Sequence, residues 1–145
     1  MATNTMIEHP NATVLRDIYA DLTRISDYVA DDVVLHAAER DIPGAVPIYA
    51  GAQAVLEKEV DLVLRTAGTL VMDVDFVAAN DHFGAASGHL RASLNGESIA
   101  MPFCGLWRFR DGRIVEHWEN AYSAAAFAEF LARNPLPLTS HTPVG

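Results

Sequence analysis

The chain has 145 residues, half of them apolar and 20% charged, which is enough to build one globular domain with its own core. Its net charge of −9, with one lysine against nine arginines, argues against nucleic-acid binding, because phosphate backbones repel an acidic protein. The sequence has no apolar run long enough for a membrane span, no signal-peptide pattern and only one cysteine, Cys104. We therefore expect a single cytoplasmic domain over residues 1–145, with no nucleic-acid and no membrane partner.

The N-terminal part predicts two helices and a strand. Asn11 or Thr13 is placed to cap the first helix, and a short second helix is expected over residues 26–30. A strand over residues 33–36 follows. The helical spacing of apolar residues gives the first helix one buried face, formed by Leu15, Ile18, Tyr19, Leu22 and Ile25.

A loop and a third helix come next. Residues 37–50 contain Pro43, Gly44 and Pro47 and are expected to form a loop. Gly51 opens the third helix, and Gly68 closes it. Its apolar spacing predicts an inward face made of Val55, Leu56, Val60, Val63 and Leu64.

The rest of the chain predicts a meander of four strands and a last helix. The strands are expected over residues 69–79, 82–94, 97–110 and 113–122. Asn95-Gly96 and Asp111-Gly112 favour two-residue hairpin turns, because such turns need positive φ at both central residues. Ser123 caps the last helix, which Asn134-Pro135 ends, and residues 134–145 are expected to be a loose tail. Helices followed by an antiparallel sheet indicate an α+β fold.

One pair of polar residues in the last strand has the pattern of a reaction centre. His117 and Glu119 lie two positions apart, so their side chains leave the same face of the sheet. An imidazole beside a carboxylate on an otherwise apolar face is typical of general acid–base sites.

The order of elements resembles the NTF2-like superfamily, and the local sequence is similar to its SnoaL-like branch. The resemblance covers roughly residues 12–133, and its points of contact are Ala30-Asp-Asp-Val-Val-Leu-His36, Tyr49-Ala-Gly51, Trp107-Arg-Phe-Arg-Asp-Gly-Arg-Ile-Val115 and His117-Trp-Glu119. It implies a cone-shaped fold, in which a curved antiparallel sheet wraps three N-terminal helices, with a C-terminal helix added. It also implies a ligand cavity in the wide end of the cone.

By analogy with this family, the face of the last strand that carries Val115, His117, Glu119 and Ala121 is expected to point into the cavity. On the two strands before it, the inward residues would then be Met101, Phe103, Gly105, Trp107 and Phe109, and Ala86, Gly88, Leu90 and Ala92. Trp118, His89 and Arg91 would point outward. The substrate-binding residues predicted on this basis are Tyr49, Phe103, Trp107, Met101, Leu90 and Gly88.

The resemblance implies catalytic roles for four residues. Glu119 stands where SnoaL-like polyketide cyclases carry an acidic base, and we expect burial to raise its pKa. His117 could orient Glu119, act as an acid or bind a substrate oxygen. His36, at the end of the first strand, is a candidate base at the cavity mouth, and Tyr19 is a candidate donor to an oxyanion. For each residue a purely structural role is the alternative: a solvated Glu119, a backbone-bonded His117, a wall position for His36 and a core position for Tyr19.

Related chemistries within the superfamily fit less well. The oxyanion-binding acid of ketosteroid isomerases would fall near Gly105, which cannot replace it. Leu90-Arg-Ala-Ser93 lacks the acid that limonene-type epoxide hydrolases place after their arginine. Scytalone-type dehydratases use histidines with Asp and Tyr, a pattern that this sequence permits only in part. No phosphate-binding glycine loop and no metal-ligand spacing is present, so we expect no cofactor and no metal.

We therefore expect an enzyme that performs cofactor-free acid–base chemistry on a small apolar ligand, a carbonyl or polyketide-type compound. The reaction would be a cyclisation, an isomerisation or a dehydration. The alternative is a non-catalytic protein that binds a small ligand in the same cavity, and a third reading is a pure dimerisation module. An exposed sheet face that carries Trp118 favours a homodimer.

Overall fold

A computed structural model describes residues 8–136 of the chain. Two helices, a 3-10 segment and two strands come first, followed by four long strands and a last helix. In chain order these are α1 (Pro10–Ala20), the 3-10 segment (Leu22–Asp27), β1 (Val29–His36), β2 (Ile48–Ala50), α2 (Ala52–Arg65), β3 (Val71–Ala79), β4 (Phe83–Leu94), β5 (Glu97–Arg110), β6 (Arg113–Ala121) and α3 (Ala124–Arg133). No helix in this part of the chain is long and apolar enough to cross a membrane.

The strands form one curved sheet in the order β2-β1-β6-β5-β4-β3. Neighbours pair in antiparallel fashion except β1 and β6, which are parallel, so the sheet is mixed where a purely antiparallel one was expected. The two predicted hairpin turns are confirmed, since Asn95, Gly96, Asp111 and Gly112 all have positive φ. The fold is α+β, as predicted.

The helices cover the concave face of the sheet. Alternation along β5 buries Met101, Phe103, Trp107 and Phe109 and exposes the residues between them. The main core joins this face to Leu15 and Ile18 of α1 and to Val55 of α2, while Phe130 and Leu131 of α3 pack on the far end of β4. The sheet thus has one covered face and one open face.

Several boundaries near the N-terminus differ from the prediction. His9 caps α1 through its Nδ1 atom, so the helix begins at Pro10, and Asn11 lies inside it with its side-chain amide on the Asn80 carbonyl. In place of the helix predicted over residues 26–30, a 3-10 segment spans Leu22–Asp27, and β1 begins at Val29. Strand β2 lies within the predicted loop, where pairing with β1 overrides the flanking breakers.

Helix α2 presents a different face to the core from the one predicted. Val60 and Leu64 are 36% and 60% exposed, whereas Glu59 is only 2% exposed beside the buried Val55. The helix therefore turns charged residues inward, which an apolar count alone does not reveal.

A bulge and a capped helix end account for two further differences. Pairing of β5 with β6 shifts between Arg108 and Phe109, so Ile114 and Val115 are both buried. Asn134 is buried at the end of α3 and donates to Glu97 and to the Phe130 carbonyl, so the expected loose tail does not begin there. The expectation for residues 137–145 lies outside the described residues.

Candidate active site

A cavity of about 340 Å³ lies between the concave face of the sheet, α1, α2 and the loop that follows β1. Most of its walls are apolar. Its polar lining includes Tyr19 of α1, Lys58 and Glu59 of α2, and His117 and Glu119 of β6. A pocket of this size with a few convergent polar groups is typical of small-molecule sites.

His117 is held as a neutral base. Its ring is buried and stacks on Trp107 with ring centroids 3.4 Å apart. Its Nδ1 lies 3.0 Å from the Leu106 carbonyl oxygen, which can only accept, so Nδ1 carries the proton and donates it. Burial lowers the pKa of His117 to about 4, and Nε2 therefore keeps a free lone pair at neutral pH.

Glu119 is ionised because a lysine holds it. Lys58 Nζ donates to Glu119 Oε1 at 2.5 Å, and the Ala38 backbone N–H donates to the same oxygen at 3.3 Å. Burial alone would raise the pKa of Glu119, but the Lys58 ammonium outweighs it and the pKa lies below its ordinary value. The expectation of a raised pKa is wrong for this residue, because it left out the Lys58 ammonium that contacts this carboxylate.

Glu59 is the carboxyl group in this cavity whose pKa is raised. Burial and the negative charge of Glu119 both raise it well above the ordinary value. Its Oε1 is buried and has no hydrogen-bond partner among the described residues. Lys58 Nζ lies 4.0 Å from that oxygen, beyond hydrogen-bonding distance.

Tyr19 brings a protonated phenol into the same space. Its hydroxyl accepts a hydrogen bond of 3.2 Å from Trp107 Nε1, and burial raises the pKa of the phenol. A Cβ atom at Gly105 would overlap this hydroxyl. The absence of a side chain at Gly105 therefore leaves the space that the Tyr19 hydroxyl occupies.

The predicted binding residues divide into two groups. Tyr49, Phe103, Trp107 and Leu90 line the cavity, but Met101 and Gly88 do not. Met101 lies nearer the start of β5, where it packs in the core. Gly88 lies against the Asp73 carbonyl at a bulge of β3, where a Cβ atom would overlap the backbone.

The structure contradicts the expectation that His36 faces the cavity. His36 pairs in register with Trp118, stacks on it, and lies 2.7 Å from Glu116 Oε2. Strand alternation explains this, because its neighbour Leu35 takes the buried face. His36 is therefore not brought together with His117 and Glu119, while Trp118 lies on the outer face as predicted.

Three polar residues of the site were missed. Lys58 and Glu59 follow Val55 at helical spacing, and Lys58 is the single lysine of the sequence, which was the available signal. Arg40 donates to the backbone oxygens of Ala37 and Glu119, at 2.8 and 2.6 Å. Arg40 thereby ties the loop that carries the Ala38 N–H to the backbone of β6 at Glu119.

Comparison with known proteins agrees with this architecture. The model of the SnoaL-like domain family matches residues 18–117. Bal32a, from a soil-derived mobile gene cassette, superposes with a TM-score of 0.71 at 21% identity, over 84% of this chain and 96% of that one. Among curated proteins, none matches the sequence.

Two further solved structures share the fold. TerC, co-crystallised with polyporic acid, has a TM-score of 0.66 at 20% identity over 86% of this chain and 99% of that one. IdmH from Streptomyces antibioticus, a proposed polyketide cyclase, has a TM-score of 0.64 at 20% identity over 85% of this chain and 99% of that one. Since the family model spans well over half of the sequence, this chain belongs to the SnoaL-like domain family.

Proposed function

We propose that this protein is an enzyme that performs cofactor-free acid–base chemistry on a small apolar carbonyl or polyketide-type compound in the cavity. The reaction class is cyclisation, isomerisation or dehydration, all of which begin with loss of a proton beside a carbonyl. One observation carries the proposal: an apolar cavity of about 340 Å³ that ends in an ionised carboxylate, a neutral imidazole and a protonated phenol. The family, and the proposed cyclase among its structural relatives, support the same reaction class.

Glu119 is the proposed base. It takes a proton from the carbon beside the substrate carbonyl, and the electron pair of the broken C–H bond moves to the carbonyl oxygen as an enolate. The negative charge thus leaves Glu119 and reappears on the substrate, still near the Lys58 ammonium, which balances it in both states. Tyr19 is the proposed donor to the enolate oxygen, and the His117 Nε2 lone pair accepts a hydrogen bond from the substrate.

Replacing Glu119 by glutamine tests this role. The substitution keeps the shape of the side chain but removes the base, so exchange of the α-hydrogens of 2-tetralone in D2O, followed by NMR, should slow by about 100-fold or more. Binding of 2-tetralone should persist. Glu116→Gln is the matched control, because Glu116 lies on the same strand but pairs with His36 on the outer face. An exchange rate unchanged in Glu119→Gln would rule this residue out as the base.

A non-catalytic binding protein is the second candidate. The ion pair with Lys58 favours it, since it lowers the proton affinity of Glu119 and so weakens it as a base. In that case the polar groups only select the ligand. Tight binding of 2-tetralone without any exchange above the background rate would decide for this reading.

We also propose that the protein forms a homodimer through the open face of its sheet. Phe76, Phe83 and Leu106 lie there, on β3, β4 and β5, and are 55%, 57% and 48% exposed. Exposed apolar patches of this kind often mark interfaces.

A cytoplasmic location is proposed on a separate ground, the free and exposed thiol of Cys104, because such thiols are typical of reducing compartments.

A further inference from the structure

One arginine ties the loop that follows β1 to the end of β6. Pairing of β1 with β6 stops at His36 and Trp118. Beyond that point, the hydrogen bonds from the loop to β6 in the described part of the chain come from two residues, Ala38 and Arg40. The same loop forms one wall of the cavity. The position of this wall relative to β6 therefore depends on the bonds that Ala38 and Arg40 make.

The Arg40 guanidinium joins two backbone segments. Its Nη1 donates to the Ala37 carbonyl at 2.8 Å and to the Glu119 carbonyl at 2.6 Å, and its Nη2 donates to Asn120 Oδ1 at 2.7 Å. A planar guanidinium presents its N–H donors in a rigid fork, so it holds acceptors on two segments at fixed angles. Arg40 thus fixes the loop against the backbone of β6 at Glu119.

The peptide between Ala37 and Ala38 connects this contact with the carboxylate of Glu119. Its carbonyl and its N–H belong to one trans peptide unit, so they point in opposite directions. On one side the Ala37 carbonyl accepts from the Arg40 side chain, and also from the Arg40 backbone N–H at 3.1 Å. On the other side the Ala38 N–H donates to Glu119 Oε1 at 3.3 Å. Arg40 therefore orients the donor that contacts Glu119.

Two donors hold the Glu119 carboxylate, and both contact Oε1. Lys58 Nζ approaches this oxygen from α2, and the Ala38 N–H approaches it from the loop. Contacts from two elements restrict the rotation of a carboxylate more than one contact does, and they leave Oε2 to take the substrate proton. A base has to lie within hydrogen-bonding reach of the proton that it removes, so a small displacement slows the reaction strongly.

We propose that Arg40 is a positioning residue: by clamping the Ala37–Ala38 peptide to the backbone of β6, it keeps the Ala38 N–H on the Glu119 carboxylate and holds this base in its reactive orientation. The inference rests on the proposed function and adds to it a residue that does not touch the substrate. Arg40 does not line the cavity, so its effect on turnover passes through Glu119. Loss of the clamp should therefore change the reaction rate more than the affinity for the ligand.

Arg40→Met tests the clamp in the 2-tetralone exchange assay. The substitution keeps an unbranched side chain but removes every side-chain donor, so kcat should fall about tenfold to 100-fold while KM changes by less than about threefold. Arg113→Met is the matched control, because Arg113 also donates to a backbone carbonyl, that of Asp27, but from the opposite end of β6. This control should leave both constants unchanged.

The pH dependence of exchange separates positioning from a loss of folded protein. Without the Ala38 hydrogen bond, the ionised form of Glu119 loses a donor that favours it, so the pKa of Glu119 rises. The fall of kcat/KM toward low pH should therefore begin at a higher pH in Arg40→Met than in wild type. Within the described residues, Arg40 is bonded to none of the other titratable groups near Glu119, which are Tyr19, Glu39, Tyr49, Lys58, Glu59 and His117.

The Ala38 amide proton reports the contact without any ligand. Its NMR resonance should move in the same direction in Arg40→Met and in Glu119→Gln, because both variants lose the bond to the carboxylate. It should stay in place in Arg113→Met. If Arg40→Met does not fold, Arg40→Lys takes its place with the same expectations, because the single nitrogen of lysine lacks the fork that reaches all three acceptors.

Two results would overturn the inference and leave the proposed function standing. One is a kcat for Arg40→Met equal to that of wild type. The other is a lower kcat with the pH profile and the Ala38 resonance both unchanged, which is the effect of a merely structural residue. If the wild-type protein does not exchange the hydrogens of 2-tetralone above the background rate, the proposed function fails, and Arg40 has no reaction to position.

Discussion

At the scale of single residues, the pKa of each carboxyl group in this cavity depends on its neighbouring charges as well as on its burial. Glu59 and Glu119 are neighbours, yet the pKa of Glu59 is raised and that of Glu119 is lowered. Burial acts on both in the same direction. The difference arises because Lys58 is hydrogen-bonded to Glu119 and not to Glu59. Glu119 is therefore available as a base, whereas Glu59 binds a proton more readily.

The buried His117 should make stability depend on pH. Its pKa is about 4 in the folded protein against an ordinary value of 6.5, so the unfolded chain binds more protons between these values. The free energy of unfolding should therefore fall as the pH drops from 6.5 to 4, by roughly 3 kcal/mol from this residue. His117→Asn keeps a donor for the Leu106 carbonyl but does not titrate. Urea unfolding at several pH values should show a flatter curve for this variant, and parallel curves would contradict the assignment.

Residue-level prediction from the sequence succeeded on β6 and α1 and failed on α2 and β1. Strand alternation placed His117 and Glu119 on one face, and the family resemblance turned that face inward. Helical spacing placed Tyr19 on the buried face of α1. Lys58 and Glu59 escaped because charged residues on a helix normally face water, and only the packing of α2 turns them inward. His36 was misplaced because the strand that carries it begins four residues earlier than predicted and its pairing could not be foreseen.

At the scale of elements, the Tyr19 side chain of α1 packs against β5 at Gly105. Gly105 gives β5 a gap, the Tyr19 hydroxyl fills it, and Trp107 donates to that hydroxyl from the same strand. The position of the phenol in the cavity thus depends on a residue that has no side chain. The turns of the sheet were predictable from dipeptides, whereas this fit between elements distant in sequence was not.

Filling that gap should destabilise the protein and a second substitution should restore it. Gly105→Ala places a methyl group on the Tyr19 hydroxyl and should cost about 1–3 kcal/mol of unfolding free energy, the usual effect of overpacking. Tyr19→Phe removes the oxygen, so the double variant should recover part of that loss. A denaturation double-mutant cycle measures the coupling. Gly88→Ala is the control, because its methyl group meets the Asp73 backbone and Tyr19→Phe should give no recovery.

At the scale of the whole molecule, the sheet separates two surfaces with different tasks. Its concave face, the helices and the loop after β1 enclose the cavity, while its other face is open. On that open face, Ala85, Leu106 and Trp118 lie side by side across β4, β5 and β6, and Trp118 stacks on His36 of β1. Because alternate residues of the same strands serve the two faces, a substitution on one face can leave the other unchanged.

The open face therefore allows the dimer to be tested without touching the cavity. In a two-fold dimer built on this face, Leu106 of each copy lies within the interface, so Leu106→Asp would bury a carboxylate on both sides. Light scattering after size exclusion should give the dimer mass for the wild-type protein and the monomer mass for this variant. Leu64→Asp, which changes the 60% exposed Leu64 of α2 on the helical side, should remain dimeric. A wild-type protein that stays monomeric at high concentration, or a Leu106→Asp variant that stays dimeric, would remove this face as the interface.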